Sequence, residues 1–336
     1  MKILFIGGTG NISADCAALL HRQGHEILVL SRGQKPVPAA YRLLSADRKD
    51  PTAMRTALKA VQPEVVLNFL GYEPAEVQLD CDLFDGVVRQ YVFISSATVY
   101  AKPHRHLPLT EEAPLGNTYW DYARKKLACE HWLLNRWHET GFPVTIVRPS
   151  HTYSKKWVPN PVASSSYTFA ARLERGQPVF VPDEGQNPWT LTAASDFAVG
   201  LAGLVGHPKA LGEAFHLTSD EVLTWNQIVA EIAAAVGAGN PQVLPIPTTL
   251  ICRVAPRLSG SLQGDKAHPG VFDNGKIKRF VPGFQCRKPF RSGIRESVAW
   301  LRAHPEDQHL DPEVDRLCDA VVAAWRGAPS SLGAAV

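Results

Sequence analysis

Short apolar runs alternate with helix-like stretches through the first half of the chain. The first run, residues 3–6, is continuously apolar and leads into a glycine-rich loop, as expected of a parallel strand that is buried on both faces. The next stretch, residues 14–23, is predicted to be a helix that ends near Gly24, and a second apolar run follows at residues 26–30. These pieces predict one strand–helix–strand unit within about 30 residues.

The same alternation continues to about residue 150. The further predicted elements are a helix at 51–61, strands at 65–69 and 91–95, a helix at 122–137 and a strand at 144–147. Alternating strands and helices are typical of an α/β protein with a doubly wound parallel sheet. The expected fold class is therefore α/β with a Rossmann-type sheet.

The character of the sequence changes after residue 150. Proline and glycine become frequent. Strand-like pieces at residues 178–182 and 214–217 alternate with predicted helices at residues 195–205 and 225–236. We expect a Rossmann domain, then a smaller substrate-binding lobe interleaved with the last sheet elements, then a flexible tail. The expected boundaries are residues 1–150, 151–325 and 326–336.

Composition and charge narrow the function classes. The net charge of +3 comes from 35 basic and 32 acidic residues. They are scattered, so no basic face for nucleic acid is expected. The six cysteines form no Cys-x-x-Cys pair, which favours reduced thiols over a metal site. No apolar run is long enough to span a membrane. We expect a cytoplasmic protein whose partner is a small molecule, without metal, membrane or nucleic acid.

The glycine-rich loop at residues 7–13 precedes the first predicted helix. Gly7 is expected to make a tight turn, and Gly10 to let the backbone approach a pyrophosphate. Free N–H groups at the start of a helix favour such an anion. Ser13 stands where a third glycine would permit close packing, and it is small enough to do the same. The loop therefore predicts a dinucleotide site.

The residues after the second strand bear on the choice between NAD and NADP. An acidic residue there would bond the ribose 2′-hydroxyl and repel a 2′-phosphate. This chain has Ser31 and Arg32 instead. Ser31 can donate a hydrogen bond and Arg32 can hold a phosphate, although Arg32 could also be a solvated loop residue. We therefore favour NADP(H), with NAD(H) possible.

Other residues follow predicted strands at the same edge of the sheet. Asp47 is placed to contact the adenine. The further cofactor contacts expected are Thr9, Asn11, Ile12, Arg48, Phe69, Leu70, Gly71 and Pro149. Asp47 and the segment Phe69-Leu70-Gly71 could equally be structural loop residues.

Tyr122 and Lys126 are four residues apart on a predicted helix, so they share a face. An ammonium beside a phenol stabilises the phenolate and lowers its pKa from about 10. A serine hydroxyl from the Ser-Ser-Ala-Thr segment at residues 95–98, after an earlier strand, can hold the substrate oxygen next to the phenol. Tyr122 can then exchange a proton with an alcohol or ketone while hydride moves. Tyr122, Lys126 and this serine are the predicted catalytic set.

These motifs, in this order, resemble the extended short-chain dehydrogenases/reductases, and in particular the epimerase/dehydratase branch typified by UDP-galactose 4-epimerase. The segment Ser-Ser-Ala-Thr-Val-Tyr at residues 95–100 carries much of that resemblance. It implies that Tyr122 is the acid/base, that Lys126 holds the nicotinamide ribose, and that Ser96 binds the substrate oxygen. It also implies that Thr98 presents a second hydroxyl to substrate.

Two positions depart from the family pattern. Sugar-nucleotide epimerases usually present two arginines to the substrate pyrophosphate, and our alignment places Trp189 at one and Leu262 or Gln263 at the other. Losing both removes strong charge-assisted hydrogen bonds. A free or differently activated sugar, a nucleoside or a glycoside is then plausible. Trp189 could stack on such a ring or pack the lobe, and His151 could bond substrate or be satisfied within the protein.

Several reactions share this chemistry. A dehydratase needs an added acid/base pair where this chain has Ala97 and Thr98, which argues against dehydration. We place a sugar, nucleoside or sugar-nucleotide epimerase slightly ahead of an NADPH-dependent ketoreductase. A non-catalytic nucleotide- or RNA-binding role is third, because such members usually lose the tyrosine–lysine pair. The resemblance also predicts a homodimer through the helix at 122–137.

Overall fold

The computed structural model describes residues 1–33, 36–48 and 50–327. Its strands are β1 Lys2–Ile6, β2 Glu26–Ser31, β3 Arg42–Ser45, β4 Val65–Asn68, β5 Gln90–Ile94, β6 Val144–Pro149, β7 His151–Tyr153, β8 Val179–Pro182, β9 Pro188–Trp189, β10 Leu191–Ala193, β11 Ala214–Leu217, β12 Leu223–Thr224 and β13 Val243–Ile246. Its helices are α1 Ser13–Arg22, α2 Pro51–Lys59, α3 Pro74–Phe84, α4 Asp121–Thr140, α5 Thr168–Glu174, α6 Ala194–Leu204, α7 Trp225–Val236, α8 Thr248–Val254, α9 Ser259–Ser261, α10 Gly275–Phe280, α11 Phe290–Ala303 and α12 Pro312–Arg326. The predicted tail covers residues 326–336, and the part of it beyond Gly327 lies outside the described residues.

The main sheet is parallel, in the order β11-β6-β5-β4-β1-β2-β3. The direction of strand progression reverses between β1 and β4. In open α/β sheets, ligands bind beyond the carboxyl ends of the strands at such a point. Strand β11 follows β6 in the sheet but comes from the second half of the chain. The Rossmann-type sheet and its interleaving with the second half are thus confirmed, while the boundary at residue 150 stays a prediction.

The all-apolar strands contribute side chains to two cores, one on each face of the sheet, because successive side chains point to opposite faces. Ile3 and Phe5 of β1 belong to the core under helices α1 and α6. Leu4 and Ile6 belong to the core under α2, α3 and α4. This arrangement explains why the strand has no polar alternation.

A buried ion pair fixes helix α4 to strand β6. Glu130 of α4 is fully buried, and Arg148 is 2% exposed. Arg148 Nη2 lies 2.7 Å from Glu130 Oε2, and its Nε donates to the same carboxylate at 3.1 Å. Nη1 donates to the Tyr100 hydroxyl and the Glu111 carbonyl, both at 2.9 Å. The guanidinium is therefore bonded on all sides, and α4 is held at the carboxyl end of the sheet.

Helix α3 was not among the predicted elements. Its Asp80 is fully buried, and the carboxylate accepts hydrogen bonds from Arg48 at 2.8 Å, Asn68 at 2.7 Å and Tyr91 at 2.6 Å. A charged residue at a core position interrupts the apolar periodicity on which a helix prediction depends. The partners that make its burial tolerable come from other elements.

The second half builds two further cores. One lies among α5, α7 and α11, and the other among β13, α8 and α12. Three strand pairs, β7 with β10, β9 with β12 and β8 with β13, connect these helices. None of the described helices has the length and apolar composition that crossing a bilayer requires.

Candidate active site

A cavity of about 470 Å³ opens at the carboxyl ends of the central strands. Both halves of the chain line it. The predicted site residues that it brings together are Gly7, Gly10, Asn11, Ile12, Phe69, Leu70, Ser96, Thr98, Tyr122, Lys126, Pro149, His151 and Trp189. The glycine loop and the predicted catalytic residues therefore share one space.

The glycine loop is held in shape by Ser13. Its hydroxyl donates to the Gly7 carbonyl at 2.5 Å and accepts from the Gly10 amide at 2.8 Å. Gly7 has φ of +88°, and a Cβ there would lie 2.6 Å from Leu70 Cγ. Gly7 and Gly10 thus present bare backbone to the cavity beside the start of α1, a ten-residue helix. These residues fit the pyrophosphate of a dinucleotide.

Asn11 connects the loop to the second half of the chain. Its Nδ2 donates to the Thr152 carbonyl and its Oδ1 accepts from the Ser154 amide, both at 2.9 Å. Both polar atoms of the side chain are therefore engaged by the segment that contains β7. Asn11 was expected to contact the cofactor, but the structure uses its amide to position the loop.

Hydroxyl groups from two segments meet near the end of β5. Thr98 Oγ1 donates to Ser96 Oγ at 3.0 Å, and Ser96 lies close enough to the Tyr122 phenol to lower its pKa. Ser96 also caps a short 3₁₀ turn by accepting from the Thr98 amide. Thr98 thus holds the Ser96 hydroxyl in place. The resemblance implied that Ser96 and Tyr122 act together, and the structure brings both into one cavity.

Lys126 is 2% exposed and lies among carbonyls and aromatic rings. Its Nζ donates to the Gly71 carbonyl at 2.7 Å and the Ile94 carbonyl at 2.8 Å. The same atom lies 4.7 Å from the Tyr72 ring centre and 5.9 Å from the Tyr122 ring centre. Burial lowers the pKa of Lys126 to about 8.

The sequence led us to expect that Lys126 lowers the pKa of Tyr122, and the structure does not support this expectation. Burial, and next the neighbouring Tyr72, raise the pKa of Tyr122 above its usual value, and the Ser96 hydrogen bond offsets only part of this. The ammonium is turned toward the two carbonyls rather than toward the phenol oxygen. The raised pKa favours the protonated form of the Tyr122 phenol.

The lowered pKa of Lys126 predicts a pH dependence. The ammonium loses its proton as pH rises through about 8, so we expect kcat/KM to fall above that pH. The Tyr122 phenol does not explain such a limb, because its pKa is raised. In a Lys126→Arg variant the limb should disappear, since a guanidinium stays protonated. A limb that persists unchanged in this variant would assign it to another group.

Arg48 bonds other parts of the protein, whereas the cofactor contacts of Asp47, Ser31 and Arg32 stay predictions. The Arg48 guanidinium donates to the Leu70 carbonyl at 2.6 Å and to Asp80 at 2.8 Å, so it supports the loop after β4 rather than facing the cavity. The Asp47 carbonyl accepts from the Asp50 amide at the start of α2. Ser31 Oγ accepts from the Gly33 amide at 3.2 Å, and Arg32 is exposed.

His151 and Trp189 are bonded to the protein. Trp189 Nε1 donates to His151 Nδ1 at 3.3 Å, so Nε2 of His151 carries its proton and faces Ser164 Oγ at 2.9 Å. Burial lowers the pKa of His151 to about 3. Trp189 is 4% exposed and its ring centre lies 5.1 Å from that of Trp225. Of the alternatives left open by the sequence, the structure favours packing for Trp189 and an internal partner for His151.

The cavity also contains residues that the sequence did not identify as site residues. Their polar or aromatic side chains come from five separate segments: Tyr72, Ser95, Trp120, Thr190, Asp265 and Lys266. The hydroxyls of Ser95 and Thr190 are buried without a hydrogen-bond partner in the described part of the chain. Ser95 precedes Ser96 in the recognised motif, and Asp265 follows a glycine that matches the family pattern. Tyr72 and Thr190 had no sequence signal.

The sequence profile of the NAD dependent epimerase/dehydratase family matches residues 3–217. The chain belongs to this family. The resemblance to the extended short-chain dehydrogenases/reductases is confirmed, and the protein is an NAD(P)-dependent enzyme of that type.

The proteins to which this chain is similar differ in activity. The 2′-dehydrokanamycin reductase of Streptomyces kanamyceticus is 28% identical over 335 residues, which are 98% of this chain and 93% of the relative. The chloroplast stem-loop binding protein of 41 kDa b of Arabidopsis thaliana is 28% identical over 258 residues, covering 72% and 65%. The UDP-glucose 4-epimerase of Thermus thermophilus, solved with NAD, superposes with a TM-score of 0.71 at 21% identity and covers 90% of this chain and 100% of that one. The last comparison establishes the fold.

Proposed function

We propose that this protein is a reductase that transfers hydride from NADPH to the carbonyl carbon of a sugar-like small molecule. The observation that carries the proposal is the position of the Tyr122 phenol, which lies in the cavity with Ser96 and Lys126 and whose pKa is raised by burial. A protonated phenol is suited to give a proton to a ketone oxygen. Oxidation of an alcohol, the first step of epimerisation, needs a base instead.

Each residue has a simple part in this reaction. Ser96 donates a hydrogen bond to the substrate oxygen, and Thr98 keeps the Ser96 hydroxyl oriented. Tyr122 gives its proton to the same oxygen. Lys126 and the glycine loop hold the dinucleotide, which supplies the hydride when bound. The product is a secondary alcohol, and the oxidised cofactor leaves.

The departures from the sugar-nucleotide pattern support a reductase over the epimerase that the sequence placed first. Trp189 and Leu262, aligned with the two arginine positions, are buried, and Gln263, the alternative at the second position, has no positive charge to offer a pyrophosphate. The reductase of Streptomyces kanamyceticus aligns over nearly the whole chain. Epimerisation is the second candidate, supported by the Ser-Ala-Thr-Val-Tyr segment at residues 96–100.

The state of the cofactor distinguishes the two reactions. The freshly purified protein would be denatured and its released nicotinamide measured. It would then be assayed for NADPH oxidation with 2′-dehydrokanamycin and for interconversion of UDP-glucose and UDP-galactose. A reductase should be purified empty and consume NADPH with a ketone. Near-stoichiometric bound cofactor together with interconversion would support the epimerase and overturn our first choice.

We also propose a preference for NADP(H) over NAD(H), supported by the exposed Arg32 after β2. Arg32→Ala should weaken NADPH binding about tenfold while NADH binding stays within about twofold, because one charge-assisted contact to the 2′-phosphate is lost. Fluorescence titration of both cofactors measures this. The exposed Arg55→Ala is a matched control. Equal affinities for both cofactors, unaffected by either substitution, would contradict the preference.

The homodimer and the cytoplasmic location stay predictions. The two tryptophans of α4, Trp132 and Trp137, pack against the core rather than forming an exposed face. A non-catalytic role is least supported, because the Ser96–Tyr122 contact is intact in the cavity.

A further inference from the structure

One wall of the cavity carries polar groups that the proposed hydride transfer does not use. Thr190 lies between β9 and β10 and is 1% exposed. The residue lines the cavity, and its buried hydroxyl has no hydrogen-bond partner in the residues described. Asp265 and Lys266 line the same cavity. A buried hydroxyl without a hydrogen-bond partner costs free energy, which indicates that a ligand or a water molecule forms the missing hydrogen bond.

A π-helical turn, Leu262–Lys266, presents the two charged groups. The turn packs directly on Trp120, because a Cβ at Gly264 would lie 2.8 Å from Trp120 Cβ. Asn117 Nδ2 donates to the Gly264 carbonyl at 2.6 Å, and Trp225 Nε1 donates to the Lys266 carbonyl at 2.9 Å. The backbone behind both charged side chains is therefore fixed. π-Turns of this kind are frequent at functional sites.

The two charged groups are loosely paired. Lys266 Nζ lies 3.9 Å from Asp265 Oδ2, a distance too long for a hydrogen bond. Each group therefore keeps hydrogen-bonding capacity for a ligand, while together they are electrically neutral.

Lys102, the next cation, has its Nζ 2.8 Å from His104 Nε2. Burial lowers the pKa of His104 to about 4 and also lowers that of His268, so both imidazoles are neutral at pH 7.

Such a wall suits hydroxyl groups better than a diphosphate. A diphosphate needs forked cationic donors, whereas Asp265 adds a negative charge beside Lys266. A carboxylate accepts, an ammonium donates and a threonine hydroxyl does both, which matches the hydroxyls of a sugar. The Trp120 ring centre lies 4.9 Å from that of Tyr122 and 5.7 Å from Lys266 Nζ. Trp120 is therefore close to both Tyr122 and Lys266.

We propose that Thr190, Asp265 and Lys266 form a subsite that binds the hydroxyl groups of an unphosphorylated sugar or glycoside, whose ring lies against Trp120. This proposal rests on the proposed reductase function and specifies the class of substrate that the reductase would bind. It places the reacting carbonyl at Tyr122 and the remaining hydroxyls at this polar wall. The three polar residues set specificity and KM rather than the chemical step.

Binding to the NADP⁺-saturated protein tests the subsite. The probes are methyl α-D-glucopyranoside, methyl β-D-galactopyranoside, maltose and UDP-glucose, each titrated by calorimetry. We expect at least one unphosphorylated probe to bind more tightly than UDP-glucose. Lys266→Met and Thr190→Val should each weaken that probe about tenfold or more. NADPH affinity should not change in either variant. Lys209→Met, an exposed lysine outside the cavity, should match the wild type.

The contrary results are distinct from failure of the reductase function. If UDP-glucose binds best, if no unphosphorylated probe binds, or if both variants keep wild-type affinity, the subsite is wrong. Turnover of NADPH that depends on Tyr122 would still support the reductase in any of these cases. Conversely, probes that bind as expected to a protein unable to transfer hydride would retain the subsite and remove the reductase.

Discussion

Replacing Tyr122 with phenylalanine should lower kcat/KM about 10²–10⁴-fold and leave NADPH affinity unchanged. The substitution removes only the phenolic oxygen, which is the proposed proton donor and lies near Ser96. The ring keeps its neighbours, because Trp120 and Tyr72 have ring centres 4.9 Å and 6.3 Å away. The loss should therefore appear in kcat rather than in folding. Steady-state assays with the ketone substrate measure it.

Tyr119→Phe is the matched control for this substitution. Tyr119 lies three residues earlier and its side chain is 48% exposed, so loss of its hydroxyl should leave the rate within about twofold. Circular dichroism should be the same for all three proteins. A Tyr122→Phe protein with wild-type kcat/KM would contradict the assignment of Tyr122 as proton donor and would leave the hydride-transfer proposal without its acid.

Replacing Glu130 with alanine should reduce the free energy of unfolding by about 3–5 kcal/mol. The substitution leaves the Arg148 guanidinium buried with no counter-charge, since its other partners are the neutral Tyr100 hydroxyl and Glu111 carbonyl. The loss is larger than an exposed ion pair would give, because those contribute about 0–1 kcal/mol. Urea denaturation monitored by tryptophan fluorescence measures the change.

Two variants keep this prediction interpretable. Glu139→Ala, at an exposed position on the same helix, should change the free energy of unfolding by less than about 0.5 kcal/mol. Glu130→Gln keeps acceptor capacity without the charge and should fold with an intermediate loss if the alanine variant does not fold. If the alanine variant is as stable as Glu139→Ala, then Arg148 is compensated in another way and α4 is not fixed by this pair.

The parts of the site that could be predicted are those encoded within one short segment. Tyr122 and Lys126 are four residues apart on one helix, and their shared face follows from helix geometry. The glycine loop lies between a strand and a helix that the apolar pattern marks clearly. Ser96 follows a strand that neighbours the start of α4, so its contact with Tyr122 could be inferred from the resemblance.

The parts that could not be predicted depend on contacts between distant segments. Whether Lys126 stabilises the Tyr122 phenolate depends on the Gly71 and Ile94 carbonyls, which take two of its donors. The role of Arg48 depends on Asp80, a carboxylate that the sequence gives no reason to bury. Asp265 and Lys266 reach the cavity through a π-helical turn, for which no periodicity provides a signal. In each case the deciding partner is more than 20 residues away or in an irregular turn.

The Ser13 hydroxyl has a thermodynamic consequence. By bonding the Gly7 carbonyl and the Gly10 amide together, it fixes the loop before any ligand arrives. Restricting one residue's backbone costs about 1–2 kcal/mol of conformational entropy, and glycines lose the most freedom. That cost is met during folding, so a dinucleotide would bind without having to order the loop. Preorganisation of this kind raises affinity without adding a contact.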